Sequence, residues 1–115
     1  MTNQSGIGRG YYSEQDFMHL SSWMRAQFLS HSIDILDVKY CPHHPAKAKP
    51  EYLKSCQCRK PQPGMILEAA LTHQIDLKQS IMVGDKISDM ECALNAGLKK
   101  MILIISQKLL ESLNN

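Results

Sequence analysis

Two short apolar runs near the carboxyl end limit most strongly what this chain can fold into. Residues 80–83 end abruptly in Gly84 and Asp85, and residues 100–105 follow a helix-like segment that Gly97 stops. Uninterrupted apolar runs of this length are typical of strands buried on both faces, as in a parallel sheet. Because a helix separates the two runs, the sequence predicts an α/β fold, with a parallel sheet that helices cover on both faces.

Capping signals and spacing predict the other elements. Ser13 precedes two acids, Glu14 and Asp16, and therefore predicts a helix start. The apolar residues that follow recur at helical spacing and predict a core stripe of Phe17, Leu20, Met24 and Phe28. A second helix over residues 65–73 has an apolar side made of Ile66, Leu67, Ala70 and Leu71. We also expect a loop over residues 1–12, a strand over 33–40, a third helix over 87–95 and a helical tail over 106–115.

The composition narrows the function without identifying it. The 115 residues leave room for at most one small domain. A net charge of +2 is too small to indicate binding to nucleic acid or to a membrane. No apolar run is long enough to span a bilayer, and the polar residues 1–6 do not resemble a signal peptide. We therefore expect a cytoplasmic protein with no nucleic-acid or membrane partner.

Two pairs of metal-binding residue types flank a loop in the middle of the chain: Cys41 with His43, and Cys56 with Cys58. Three thiolates and an imidazole are a ligand set used by closed tetrahedral zinc sites. Prolines and lysines occupy the segment between the pairs, which is typical of a loop. The sequence thus predicts a structural zinc loop over residues 41–58.

Two alternatives to a zinc site stay open. The cysteines could be free thiols that lie near a surface histidine by chance, or two of them could form a disulfide. Cys56 and Cys58 are too close in sequence for easy closure of a disulfide, and nothing else indicates secretion. The fourth cysteine, Cys92, lies among apolar residues and is expected to be a buried helical thiol.

Polar residues that directly follow an apolar strand are informative, because ligands bind at the carboxyl ends of parallel strands. Asp85 and Lys86 are placed in this way, and Asp89 follows one helical turn later. A carboxylate there can hold Mg²⁺, and a neighbouring ammonium can neutralise phosphate charge. Taken alone, however, Gly84 and Asp85 form an ordinary turn with a helix cap.

Two further segments carry groups that suit a phosphate. Arg59 can bind a phosphate through two hydrogen bonds, and Lys60 supplies a point charge. Residues 2–6 offer hydroxyl, amide and backbone N–H groups within one loop. In isolation, the first segment indicates a solvated basic patch and the second a turn.

In their order along the chain, these segments resemble the second, third and fourth motifs of the haloacid-dehalogenase-like phosphatases. The strings TNQSGIGRG, YCPHHP, CQCRKPQPGM and MVGDKISDM resemble the heptose bisphosphate phosphatases, which act in lipopolysaccharide biosynthesis. The resemblance runs from Thr2 to about Ile105. It implies a Rossmann-like parallel sheet and a Mg²⁺-dependent hydrolase of small phosphorylated sugars. Histidinol phosphatases have a similar zinc loop, but theirs is usually shorter than residues 43–56.

The resemblance also implies a role for each matching residue. Thr2 would stabilise the transferring phosphoryl group, Lys60 would hold it and orient the nucleophile, and Asp85 would bind Mg²⁺. Asp89 would be a supporting acid, and His44 would take no part. Substrate contacts are implied for Thr2, Asn3, Gln4, Ser5, Arg59, Lys60 and Lys86. The implied ligands of the structural zinc are Cys41, His43, Cys56 and Cys58.

The chain departs from this family in the first motif. The family needs an Asp-x-Asp-Gly-Thr loop, in which one aspartate attacks phosphorus and the other serves as general acid and base. Asp34 and Asp37 have the wrong spacing, and no other segment replaces the motif. Two strands of the family's sheet are also missing. We therefore expect residues 1–115 to be a single partial domain, N-terminally truncated and poorly stable alone.

Several causes of this departure stay open. A misplaced start codon or a truncated gene would account for it, and so would a split enzyme with an upstream-encoded fragment that supplies the aspartates. Otherwise we expect a monomer. The alternatives to a sugar phosphatase fragment are a non-catalytic zinc-binding remnant, a histidinol phosphatase fragment and a zinc-ribbon interaction module. The apolar strands argue against the last of these.

Overall fold

The computed structural model describes residues 1–105, and contacts within the chain divide it into two compact units. The first unit is Met1–Arg59, and the second begins at Lys60. The helical tail expected over residues 106–115 lies outside the described residues. That one domain spans residues 1–115 stays a prediction.

The first unit is built around a parallel pair of very short strands. The elements of this unit, in chain order, are β1 (Thr2–Asn3), α1 (Ser5–Gly8), α2 (Glu14–Ser30), β2 (Tyr40–Cys41) and a 3-10 turn (Pro50–Tyr52). Strand β1 pairs with β2 so that Thr2 lies opposite Tyr40 and Asn3 opposite Cys41. The loop expected over residues 1–12 was wrong, because it contains β1 and α1. The strand expected over residues 33–40 was also wrong, because only its last residue enters β2.

Helix α2 begins where its cap predicts. The Ser13 hydroxyl accepts the Asp16 N–H at 3.0 Å and the Asp16 carboxylate accepts the Ser13 N–H at 2.9 Å, which together form a capping box. The predicted core stripe was wrong in part. Phe17 is buried and lies 4.8 Å from the Tyr40 ring, whereas Leu20 and Phe28 are 60% and 42% exposed. None of the helices in residues 1–105 has the length and apolar character that crossing a bilayer needs.

The second unit has the predicted alternation of helices and parallel strands. Its elements are α3 (Gly64–His73), a 3-10 turn (Leu77–Gln79), β3 (Ile81–Gly84), α4 (Ile87–Ala96) and β4 (Lys100–Leu103). Strands β3 and β4 pair in parallel, with Ile81 opposite Lys100. The core of this unit consists of Ile66, Met82, Cys92, Ala93 and Leu98. Cys92 is fully buried on α4, as predicted, and burial raises the pKa of its thiol.

Burial in the second unit alternates along its first strand. Met82 is buried, whereas Ile81 and Val83 are more than half exposed among the described residues. The apolar side predicted for α3 was wrong in part, because Leu71 is 84% exposed while Met65 is buried. The core of this unit is therefore formed on one face of β3.

Helix α4 should depend on the glycine that ends it. Gly97 has φ 95° and ψ 13°, and a Cβ there would meet nothing within 4 Å. Substituting Gly97→Ala should therefore lower the free energy of unfolding through backbone strain alone, by about 1 kcal/mol. Gly97→Asn should cost less, because asparagine tolerates this conformation better. Urea unfolding followed by circular dichroism measures both, and an Ala variant as stable as wild type would contradict the argument.

Candidate functional site

The four predicted zinc ligands converge in the first unit. One ligand atom from each of Cys41, His43, Cys56 and Cys58 lies within 4.8 Å of all the others. Cys56 Sγ is 3.4 Å from both Cys41 Sγ and Cys58 Sγ, and Cys58 Sγ is 3.4 Å from His43 Nδ1. The group can therefore hold a metal ion, as the spacing of the two pairs predicted.

The structure also joins two of these sulfurs. It pairs Cys41 with Cys58 as a disulfide, with their Cα atoms 5.6 Å apart, and leaves Cys56 and Cys92 as thiols. The disulfide that the sequence left open thus spans the two ligand pairs and does not join Cys56 to Cys58. Two sulfurs that share a metal ion lie farther apart than those of a disulfide, but the Cα separation of Cys41 and Cys58 suits either arrangement.

Nothing in the sequence indicated that the Glu14 carboxylate contacts the segment of residues 41–58, which we call the 41–58 loop. Glu14, at the start of α2, accepts hydrogen bonds from the Tyr40 hydroxyl at 2.6 Å and the Tyr52 hydroxyl at 2.8 Å. These bonds lower the pKa of Glu14, and the bond to Glu14 raises the pKa of Tyr40 to about 12. No local sequence signal could have revealed this, because 26 and 38 residues separate Glu14 from the tyrosines.

His44 has a structural role in the same loop. Its Nδ1 accepts backbone N–H groups from Ala46 at 3.0 Å and Lys47 at 2.8 Å, which closes a turn. Its ring is not part of the metal-binding group. That His44 takes no part in the metal site stays a prediction.

The Thr2 segment is ordered by a chain of side-chain hydrogen bonds. Gln4 Nε2 donates to Thr2 Oγ1 at 2.8 Å, and the Tyr12 hydroxyl donates to Gln4 Oε1. Gly6 leaves the space for that tyrosine, because a Cβ at Gly6 would lie 2.9 Å from the Tyr12 ring carbon that carries the hydroxyl. The Thr2 hydroxyl accepts from Gln4 and donates to the Asn3 carbonyl at 3.4 Å, so donation to a phosphate would replace that long hydrogen bond. Asn3 lies in β1 and Ser5 begins α1.

Lys60 and Asp89 form a buried ion pair in the second unit, where their side chains are 12% and 5% exposed. Lys60 Nζ donates to one carboxylate oxygen of Asp89, while the other oxygen accepts the backbone N–H groups of Asp85 and Lys86 at 3.2 Å each. Burial is the largest single influence on the pKa of Asp89 and raises it, but the hydrogen bond and charge of Lys60 together with the two backbone N–H groups outweigh burial, so the pKa lies below its usual value. The side chains of Asp85 and Lys86 are exposed at the carboxyl end of β3.

The structure thus brings some predicted residues together within each unit. Thr2 and Gln4 share hydrogen bonds in the first unit, and Lys60, Asp85, Lys86 and Asp89 share them in the second. Arg59, the last residue of the first unit, has a buried Nη1 with no hydrogen-bond partner among residues 1–105. A buried guanidinium nitrogen of this kind is suited to an anionic or hydroxyl ligand.

Known proteins similar to this chain are phosphatases. The HAD-hydrolase-like family model matches residues 57–106. D-glycero-alpha-D-manno-heptose-1,7-bisphosphate 7-phosphatase of Photorhabdus laumondii is 47% identical over 104 residues, which are 90% of this chain and 57% of that protein. The D-glycero-beta-D-manno-heptose-1,7-bisphosphate 7-phosphatase of Escherichia coli K12 is 42% identical over 108 residues, 94% of this chain and 56% of that protein. The chain therefore spans less than two thirds of these relatives.

Two solved structures of similar fold are also of phosphatases. A HAD-like phosphatase from Mesorhizobium loti has a TM-score of 0.82 at 35% identity, covering 88% of this chain and 48% of that one. The D,D-heptose 1,7-bisphosphate phosphatase of B. bronchiseptica, complexed with magnesium and phosphate, has a TM-score of 0.79 at 28% identity, covering 97% and 58%. The fold class inferred from the two apolar runs and from the motif resemblance is thereby confirmed. The chain is therefore similar to the haloacid-dehalogenase-like phosphatases in both sequence and fold.

Proposed function

We propose that this chain carries the phosphate-binding and zinc-loop portion of a Mg²⁺-dependent phosphatase that acts on D-glycero-D-manno-heptose 1,7-bisphosphate. The observation that carries the proposal is the arrangement around Asp89 at the end of β3. There the largely buried Lys60 ammonium and the backbone N–H of Asp85, whose side chain is exposed, both bind the Asp89 carboxylate. The names of relatives that are 42–47% identical support the choice of substrate.

Each proposed site residue has a chemically defined task. Asp85 holds Mg²⁺, which when bound neutralises charge on the phosphoryl oxygens. Lys60 contacts the transferring phosphoryl group and orients the nucleophile. For Thr2, the resemblance implies that the hydroxyl stabilises a phosphoryl group. The remaining contacts to substrate are assigned to Asn3, Gln4, Ser5, Arg59 and Lys86. The nucleophile and the general acid belong to the Asp-x-Asp-Gly-Thr motif, which these 115 residues do not contain.

We propose that the ion held by the 41–58 loop is a structural Zn²⁺. Sulfurs bound 2.3 Å from one ion at tetrahedral angles lie roughly 3.8 Å apart, which is close to the 3.4 Å that separates Cys56 Sγ from its two sulfur neighbours. A disulfide would use two of the four residues and leave His43 and Cys56 beside it without a role. Three thiolates and one imidazole are a ligand set that favours zinc over magnesium.

A non-catalytic metal-binding protein is the second candidate. The specific observation that favours it is the lack of an Asp-x-Asp pair in these 115 residues. A histidinol phosphatase fragment is a further alternative, which is also a phosphatase.

For either phosphatase we propose a single partial domain over residues 1–115 that is monomeric and lies in the cytoplasm. Its partner would be a small phosphate ester, and we propose no nucleic-acid or membrane partner.

The zinc assignment predicts both the metal content and the number of free thiols. Freshly purified protein should contain one zinc ion per chain by native mass spectrometry, and all four cysteines should react with a thiol reagent after chelation in denaturant. Cys56→Ser should lose the metal, whereas Cys92→Ala, outside the cluster, should keep it. Metal-free protein with only two reactive thiols would contradict the assignment and establish the disulfide.

The phosphatase assignment predicts turnover when the missing motif is supplied. With Mg²⁺ and the Asp-x-Asp-containing segment of the Photorhabdus laumondii relative, the chain should release phosphate from the heptose bisphosphate, whereas the chain alone should not. Lys60→Gln retains a donor for Asp89 but loses the charge, so turnover should fall by about 10²-fold or more while zinc stays bound. Lys78→Ala, an exposed lysine of the same unit, is the matched control.

Two results would count against this assignment. A folded mixture with bound zinc and no turnover on the heptose bisphosphate would favour the non-catalytic protein. Turnover on histidinol phosphate alone would favour the histidinol phosphatase. Normal rates for Lys60→Gln would refute the role of Lys60 while leaving the activity itself standing.

A further inference from the structure

Glu14 contacts both the 41–58 loop and the residue directly before it. One carboxylate oxygen accepts from Tyr40, the residue directly before Cys41, and the other accepts from Tyr52, which lies between the two ligand pairs. Helix α2, on which Glu14 sits, is capped independently by Ser13 and Asp16. The carboxylate thus joins a rigid element to both the beginning and the middle of the loop.

The loop has little regular structure of its own to hold the ligands in place. Between His43 and Cys56 it contains one 3-10 turn, Pro50–Tyr52, and one isolated bridge of His44 to Leu53. Closing a segment of this length and ordering its residues costs conformational entropy, which the metal must offset unless other contacts have already done so. Contacts that order the loop without the metal therefore raise the affinity for the metal.

Tyr52 is well placed to transmit such ordering. Its Cβ would lie 3.1 Å from a Cβ added to Gly8, so the residue packs against the α1 backbone. Its ring centroid lies 6.3 Å from that of His43, one of the four metal-binding residues. Its backbone carbonyl accepts the N–H of His44 at 3.2 Å. A fixed Tyr52 thus restricts the segment that carries His43.

We propose that Glu14 is a positioning residue for the metal centre: by binding Tyr40 and Tyr52 together, it preorganises the 41–58 loop so that the four ligands meet one ion. This inference rests on the proposed zinc site. Glu14 reaches the loop by hydrogen bonds through the two tyrosines, whereas its effect on His43 is one of charge at a distance. The carboxylate suits this task because its two oxygens accept one hydroxyl each, and hydrogen bonds to a charged acceptor are strong.

Zinc affinity of the full chain, measured by competition with a chromophoric chelator, tests the inference. The measurement is made at a temperature where circular dichroism shows every variant folded. Glu14→Ala should bind zinc about tenfold more weakly, as is typical when a partner outside the ligand set is removed. Glu14→Gln should recover part of this loss, because its amide can accept from one tyrosine and donate to the other.

A control and a coupled variant separate positioning from simpler effects. Glu51→Gln removes the same charge from an exposed residue of the loop, so it should leave the affinity unchanged if positioning is responsible. Tyr52→Phe should weaken binding by less than Glu14→Ala, and adding it to Glu14→Ala should cause no further loss. A role in general stability alone would lower the unfolding midpoint of the metal-free protein without changing the affinity of the folded protein.

The affinity measurements distinguish failure of the positioning role from failure of the zinc site itself. Wild-type protein that takes up no zinc would overturn both proposals. Wild-type protein that binds zinc, with Glu14→Ala equal to it, would overturn the positioning role and leave the metal site intact. Equal losses for Glu14→Gln, Glu14→Ala and Glu51→Gln would assign the effect to charge and would also overturn the positioning role.

Discussion

The position of Cys41 is the constraint on which the first unit depends. Its side chain is fully buried among the other metal-binding residues, while its backbone lies in β2 opposite Asn3. Its carbonyl also accepts the N–H of Gln4 at 2.7 Å. Because one residue belongs to both the cluster and the strand pair, a displacement of the 41–58 loop would also displace the segment that carries Thr2. A metal ion held by the cluster would therefore also restrain the strand pair that carries Thr2.

Asp89 has the corresponding position in the second unit. Three donors share its carboxylate: the Lys60 ammonium and the backbone N–H groups of Asp85 and Lys86. Its side chain occupies the space beside Gly84, where an added Cβ would lie 2.6 Å from the Asp89 Cβ. The glycine before Asp85 is therefore required by packing, and the exposed carboxylate of Asp85 is presented by a turn that Asp89 holds closed.

The sequence predicted the parts of the structure that depend on local signals. The Ser13 cap and the stop at Gly97 were confirmed because each needs only neighbouring residues, and the two apolar strands were confirmed because their apolar content is itself a local signal, although they pair with each other. Elements that depend on distant partners were missed: β1 is two residues long and exists through pairing with β2. The same reason hid the Glu14 contacts. The prediction of a core stripe on α2 was wrong in part, because helical spacing identifies an apolar face and does not establish what covers that face.

The residues of this chain can account for some steps of the proposed reaction but not for the covalent step. Asp89 cannot attack phosphorus, because its carboxylate is buried and engaged by three donors. Asp85 is exposed, but a carboxylate that binds Mg²⁺ is not also the nucleophile in the mechanism that the resemblance implies. The roles proposed for Thr2, Lys60 and Asp85 are therefore limited to binding and orientation, while the covalent step of the proposed reaction needs a carboxylate from another motif. Metal binding by the 41–58 loop needs no such motif, since all four of its ligand residues lie between Cys41 and Cys58.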